Sequence, residues 1–191
     1  MFGKKNIIIM EWKKKWVTQP GLMLITIVIW SIFIGLCIQA GAILFTLIYS
    51  LFNPIVAQNL YEGLNLSALM EQDIRHYIGL LSLIVAITGL KAYIFYLMIR
   101  IFLKINLTHP FSKEVSKLIS KIGQVTVEIA LFIIFTNAYV KWLSKREFDL
   151  PAMGEYMGGA FEYFLMGIII YAISKVFKRG LEIQSENELT V

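Results

Sequence analysis

Apolar positions along this chain gather into four long runs, not into short alternating stretches. The first goes from Leu22 to Phe52, and Gln39 is its one strongly polar residue. The second goes from Tyr77 to Leu103 and holds Lys91 before Arg100. The third goes from Ile122 to Leu143 and holds Glu128. The fourth and shortest goes from about Gly159 to Val176, with Glu162 near its start. A helix rises 1.5 Å per residue, so about 20 apolar residues cross a bilayer. The pattern predicts an all-α polytopic membrane protein, a bundle of four transmembrane helices forming one membrane domain over residues 1–191. Short connections favour antiparallel neighbours.

Between the runs, shorter patterns appear. Ser112 is a good N-cap following a proline that cannot continue a helix. After it, Val115, Leu118, Ile119 and Ile122 recur at helical spacing, and Lys113, Lys117 and Lys121 recur every four residues on another face. This predicts an amphipathic helix before the third span. The segment Ile7–Val17, with aromatics and nearby lysines, suits a helix lying among lipid headgroups. In the connection from Asn53 to His76, Ser67 is the expected cap of a short helix reaching Tyr77. Ala40-Gly41-Ala42 has the look of a signal-peptidase site, but a signal core is about 7–15 residues and this run continues far past it. The first run is read as a retained span.

Composition agrees with the pattern. The 191 residues are 58% hydrophobic and 16% charged, with mean hydropathy +0.69, against about 45–50% and 25% in soluble domains. This excludes a disordered chain and argues strongly against an ordinary soluble enzyme. Most of the 18 Lys and Arg residues lie before the first run, between the second and third, and after the fourth. Only Arg75, Lys141, Lys145 and Arg146 lie toward the opposite side, in or beside the other two connections. The positive-inside bias therefore puts both termini and the middle connection in the cytoplasm, against anionic lipid, and explains the +5 net charge without nucleic acid. Cys37 is the only cysteine, and His76 and His109 are the only histidines, so no zinc site is expected. No G-x-S-x-G, H-E-x-x-H or phosphate loop is present. The chain reads as a non-enzyme without a cofactor or metal.

Two features carry candidate chemistry. Lys91 lies nine residues before Arg100, about 14 Å along the helix, which is near the bilayer midplane. Glu128 lies seven residues after Lys121, about 10 Å inward. Their depths allow an interhelical Lys91–Glu128 pair, and Lys121, Gln124 and Glu128 share a helix face as a polar seam. At the far end, Gly154 and Gly158 have the spacing of a close helix contact, and Glu155 and Glu162 lie seven residues apart. Gly180, after Lys178 and Arg179, is a good helix-ending residue, which leaves residues 180–191 as a polar cytoplasmic tail.

That tail, Gly180-Leu181-Glu182 through Glu186-Asn187-Glu188-Leu189-Thr190-Val191, together with Pro110-Phe111-Ser112, resembles the YoaS-like family of small bacterial four-span membrane proteins, the domain of unknown function numbered 2975. The resemblance implies a bacterial cytoplasmic (inner) membrane and no established activity. It also implies a cytoplasmic helix-turn-helix transcription regulator as partner. The candidate partner-binding residues are Pro110, Phe111, Ser112, Lys113, Lys117 and Lys121, with Glu186, Asn187, Leu189, Thr190 and Val191 of the tail. The function expected is that of an accessory or sensor protein. The alternative is a small transporter or channel, acting as a homo-oligomer in the membrane, that uses Lys91 and Glu128.

Overall fold

The computed structural model describes residues 20–104, 112–151 and 153–188. Four long helices dominate: α1 (Pro20–Ser50), α3 (Ile74–Lys104), α4 (Lys113–Ser144) and α6 (Ala160–Glu188). Two short ones, α2 (Ser67–Gln72) and α5 (Gly154–Met157), and a 3₁₀ turn at Pro54–Gln58 lie in the connections. Each long helix is long and apolar enough to cross a membrane. The amphipathic segment expected before the third span is the first part of α4 itself, one unbroken helix. Ser112 is its N-cap, extended, with its hydroxyl accepting from the Val115 N–H at 3.2 Å.

The helices pack in chain order, α1 on α3, α3 on α4, and α4 on α6. The two outer members of this series bury only 11% of their most apolar stretch, against 39% and 44% for α3 and α4. Water would not tolerate the exposed Leu24, Phe45, Phe161 and Val176 side chains in such continuous surfaces; lipid does. Buried threonine hydroxyls inside the spans bond to their own helix. Thr88 donates to the Ile84 carbonyl, Thr126 to Ile122 and Thr136 to Phe132. Such back-bonding removes the cost of burying a polar group in apolar surroundings.

Two cores result. One, around Ile87, Leu97, Leu118, Ile122, Val125 and Ile129, joins α3 to α4 toward the lysine-rich end. The other lies at the opposite end, where Ile43, Leu47, Leu66, Leu69, Tyr77 and Met157 tie the connections onto α1 and α3. Tyr77 is fully buried and donates to the Ser50 hydroxyl at 2.6 Å, clamping the last turn of α1. The turn Tyr61–Leu64 closes through Leu64 N–H to the Tyr61 carbonyl, with Glu62 and Gly63 both at positive φ. The same Tyr61 carbonyl accepts from the Tyr156 hydroxyl at 2.9 Å.

α4 and α6 meet closest. A Cβ added at Gly167 would lie 2.6 Å from Val127 Cγ2 and 3.2 Å from both the Gly123 carbonyl and the Val127 nitrogen. A Cβ at Gly123 would lie 3.2 Å from the Tyr171 nitrogen. Side chains are absent here because backbone is in the way. This pair corrects the expectation for Gly154 and Gly158. Gly154 faces open space, and Gly158 approaches only the Gly154 carbonyl of its own turn.

The same contacts set the stagger. With Gly167 opposite Val127 and Asn137 Nδ2 donating to the Met157 carbonyl, Ala160 is about level with Ile133 and Gly180 about level with Lys113. α6 therefore starts about 16 Å short of the far end of α4 and overshoots its near end by about 12 Å. The overshoot is a second correction, because the helix runs through Gly180 to Glu188. A helical glycine costs only about 1 kcal/mol against alanine. The Arg179–Glu182 pair at 2.9 Å and the half-buried Leu181 and Gln184 hold the last turns. Two caps also differ from expectation. Asn65 Oδ1, not Ser67, accepts the Ser67 N–H at 3.0 Å. α2 stops at Gln72 because Asp73 is extended and starts α3, its Oδ1 accepting the Arg75 N–H at 2.8 Å.

Candidate functional site

Polar groups inside the membrane-spanning helices are the first place to look, since each costs free energy that some role must justify. Lys91 sits on α3, half-buried, between buried Ala92 and half-buried Leu90. Its ammonium lies 5.5 Å from the ring centroid of Tyr163 on α6. Lys91 and Glu128 form no ion pair, and the ion pairs among the described residues are Lys104–Glu114 and Arg179–Glu182. The reason is angular. Val125, Ile129 and Ile133 turn one face of α4 to α3, and Gly123 and Val127 turn another to α6. Lys91 reaches toward α6, so it lies on the side of α4 away from Glu128. Residues of matching depth need not share an azimuth. The ring face attracts the ammonium and contributes about 0.5–2 kcal/mol, so it offsets part of a midplane cost of about 2.5–3.5 kcal/mol.

Glu128 and Gln124, one turn apart, are both exposed on the third face of α4. Lys113 and Lys117 continue that face to the lysine-rich end, with Lys121 half-buried between. From Lys117 to Glu128 is about 16 Å, roughly half a hydrocarbon core. The seam read from the sequence is thus one continuous polar stripe, and it turns away from both helices that flank α4.

Partner-binding candidates gather at one end. Ser112, Lys113, Lys117 and Lys121 lie on the first turns of α4, and Glu186 lies on the overshoot of α6 at the same end. Lys104 bonds Glu114 at 2.6 Å and so ties the end of α3 to the start of α4. Pro110, Phe111, Leu189, Thr190 and Val191 lie outside the described residues, as do the Ile7–Val17 segment and the side chains of Asn187 and Glu155.

The opposite end holds features that sequence reasoning missed. A half-open groove of about 280 Å³ is lined by Pro54, Ile55, Gln58, Met70, Glu71 and Ile74. At the same end, His76 Nδ1 is 2.8 Å from the Tyr139 hydroxyl. The His76 ring meets those of Trp142 and Phe148 edge-on at 5.6 and 5.3 Å, and the Arg146 guanidinium lies 4.0 Å over Trp142. The sequence signal was the i, i+3 spacing of Tyr139 and Trp142 at a span end, where aromatic residues collect. Asp73, just before α3, has its carboxyl held below the usual range, chiefly by the bond from the Arg75 backbone N–H. No group of three or more His, Cys, Asp or Glu among the described residues could hold a metal ion.

A family model described as protein of unknown function (DUF2975) matches residues 53–191. No curated protein and no solved structure matches the chain.

Proposed function

The chain belongs to the DUF2975 family, and from that premise we propose a non-enzymatic accessory or sensor protein of a bacterial cytoplasmic membrane. Both termini and the connection between α3 and α4 face the cytoplasm, and a cytoplasmic regulator of the helix-turn-helix class docks there. The observation that carries this reading is the overshoot of α6. Eight residues beyond the level of Lys113 remain helical and project from the same end as the Lys113–Lys121 stripe. A helix standing clear of the headgroups beside a basic surface offers a partner two elements at once. The distribution of lysine and arginine gives that end its cytoplasmic assignment. The transporter reading loses support because Lys91 and Glu128 face different sides of α4.

A pull-down in mild detergent tests the proposal, comparing the full chain with one ending at Gly180 and identifying what is captured. A DNA-binding regulator recovered with the full chain and lost with the truncated one supports it. Recovery equal in both moves the contact off the tail, and recovery of no regulator by either refutes the accessory reading.

A further inference from the structure

Lysines from two helices converge at one end of the α4–α6 contact. On α4, Gly123 and Val127 mark the line to α6. Each residue turns a helix by about 100°, so Lys113 and Lys117 lie about 60° and 100° round from that line. On α6, Gly167, Ile170 and the buried Ser174 mark the line to α4, and Lys178 and Lys175 lie about 45° and 105° from it. All four are turned in the direction of chain advance. In an antiparallel pair that direction leads both helices to the same side of their contact, so the four lysines flank one groove. With Gly167 level with Val127, Lys178 is level with Ser116 and Lys175 with Ile119, and the four span about 9 Å along the axis. All are exposed, and none makes an ion pair among the described residues. The neighbouring carboxylates are already committed, Glu114 to Lys104 and Glu182 to Arg179. Farther into the membrane the same groove runs between the exposed Leu131, Phe164 and Ile168.

We propose that this groove binds an anionic phospholipid whose headgroup carries two phosphates, each held by the two lysines of one helix, with its acyl chains over Leu131, Phe164 and Ile168. Depth and chemistry point to lipid. Lys104 opposite Glu114 sets Lys91 level with Val127, near the midplane, so Lys117 stands about 15 Å out, where the hydrocarbon ends. A soluble anion would satisfy the lysines but leave the apolar part of the groove unused. The spacing calls for two phosphates. Lys113 and Lys117 are about 6 Å apart along their helix and Lys175 and Lys178 about 4.5 Å, so each pair can close on one phosphate. The helix axes of a close contact lie about 8–10 Å apart, which separates the two pairs across the groove. A headgroup with a single phosphate leaves one pair without its counter-charge. The site goes beyond the regulator reading and stands without it, since lipid reaches the groove whether or not a protein meets the overshoot of α6.

The test titrates the delipidated full chain, in a neutral detergent, with diphosphatidylglycerol, phosphatidylglycerol or inorganic pyrophosphate, and counts bound molecules by native mass spectrometry. Diphosphatidylglycerol should bind at least tenfold more tightly than phosphatidylglycerol, and pyrophosphate more weakly than either. A lysine near anionic lipid contributes enough that Lys117→Gln with Lys178→Gln should weaken diphosphatidylglycerol about tenfold or more. Lys141→Gln with Lys145→Gln removes the same charge at the opposite end and should change it less than twofold. Lys117→Arg with Lys178→Arg should retain binding, which separates loss of the charges from loss of the fold. Equal affinity for the two lipids, equal loss in the two glutamine pairs, or no loss in Lys117→Gln with Lys178→Gln overturns the proposal. Pyrophosphate binding as tightly as diphosphatidylglycerol overturns it in favour of a soluble anion. No protein partner enters these measurements, so they and the pull-down fail separately.

Discussion

Replacing Gly167 by alanine is the sharpest perturbation of the α4–α6 contact. The new methyl would sit 2.6 Å from Val127 Cγ2, where carbon atoms prefer about 3.5–4.0 Å. Val127 is β-branched and stiff in a helix, so it cannot swing away freely. The 3.2 Å approaches to the Gly123 carbonyl and the Val127 nitrogen are to backbone, which moves only if the helices part. Overpacking of this kind costs about 1–3 kcal/mol. Gly89, also inside a span, has nothing within 4 Å of an added Cβ. Gly89→Ala therefore isolates the packing term, because any gain in helix propensity is common to both variants. Unfolding in detergent micelles, followed by the fluorescence of the four tryptophans, should place Gly167→Ala several degrees below Gly89→Ala. Adding Val127→Ala should recover part of the loss, since it removes the 2.6 Å contact. Equal melting temperatures for Gly167→Ala and Gly89→Ala would refute the close-contact reasoning.

Glu147 closes the C-terminus of α4 at φ 62, with Glu147 N–H bonding Ser144 and Phe148 N–H bonding Leu143. Glycine adopts that conformation without strain, so Glu147→Gly should stabilise by about 1 kcal/mol and Glu147→Val should destabilise; a melting series with the two in the reverse order would contradict this. Asp73 caps α3 through the Arg75 N–H, and its carboxyl is held below its ordinary value. A lowered folded-state value means the cap stabilises above the unfolded value of about 3.9 and is lost as pH falls through the folded one. Melting temperature measured from pH 6 to pH 2 should fall more steeply below pH 4 in the parent than in Asp73→Ala, and parallel curves would show that the cap carries no such linkage.

The four spans were legible because length and apolarity alone define them, and lipid imposes both. Ser112 was legible as a cap because its chemistry is local. What each helix faces was not legible. α1 and α6 are apolar on nearly every side, so periodicity distinguishes no buried face, and the two helices expose most of it. The Lys91–Glu128 pairing failed for the same reason: depth follows from residue count, but direction depends on which helix packs where. Gly180 looked like an end because glycine often is one. Arg179, Glu182 and the half-buried Leu181 outweighed it. The choice between the Gly154–Gly158 and Gly123–Gly167 contacts required the stagger, which emerges only when α4 and α6 are set side by side.

Packing in chain order has a consequence for how the protein is made. Each long helix after the first packs against the one synthesised just before it, so each can dock as it leaves the insertion machinery, without waiting for a distant segment. Assembly dominated by contacts between successive elements closes small loops and is fast. Longer-range contacts form only once residues 156–163 are made, when the Tyr156 hydroxyl reaches back to the Tyr61 carbonyl, Met157 joins the first connection and Tyr163 meets Lys91. Until that moment the nascent chain is a chain of hinged pairs. Afterwards it is locked at the end away from the lysines.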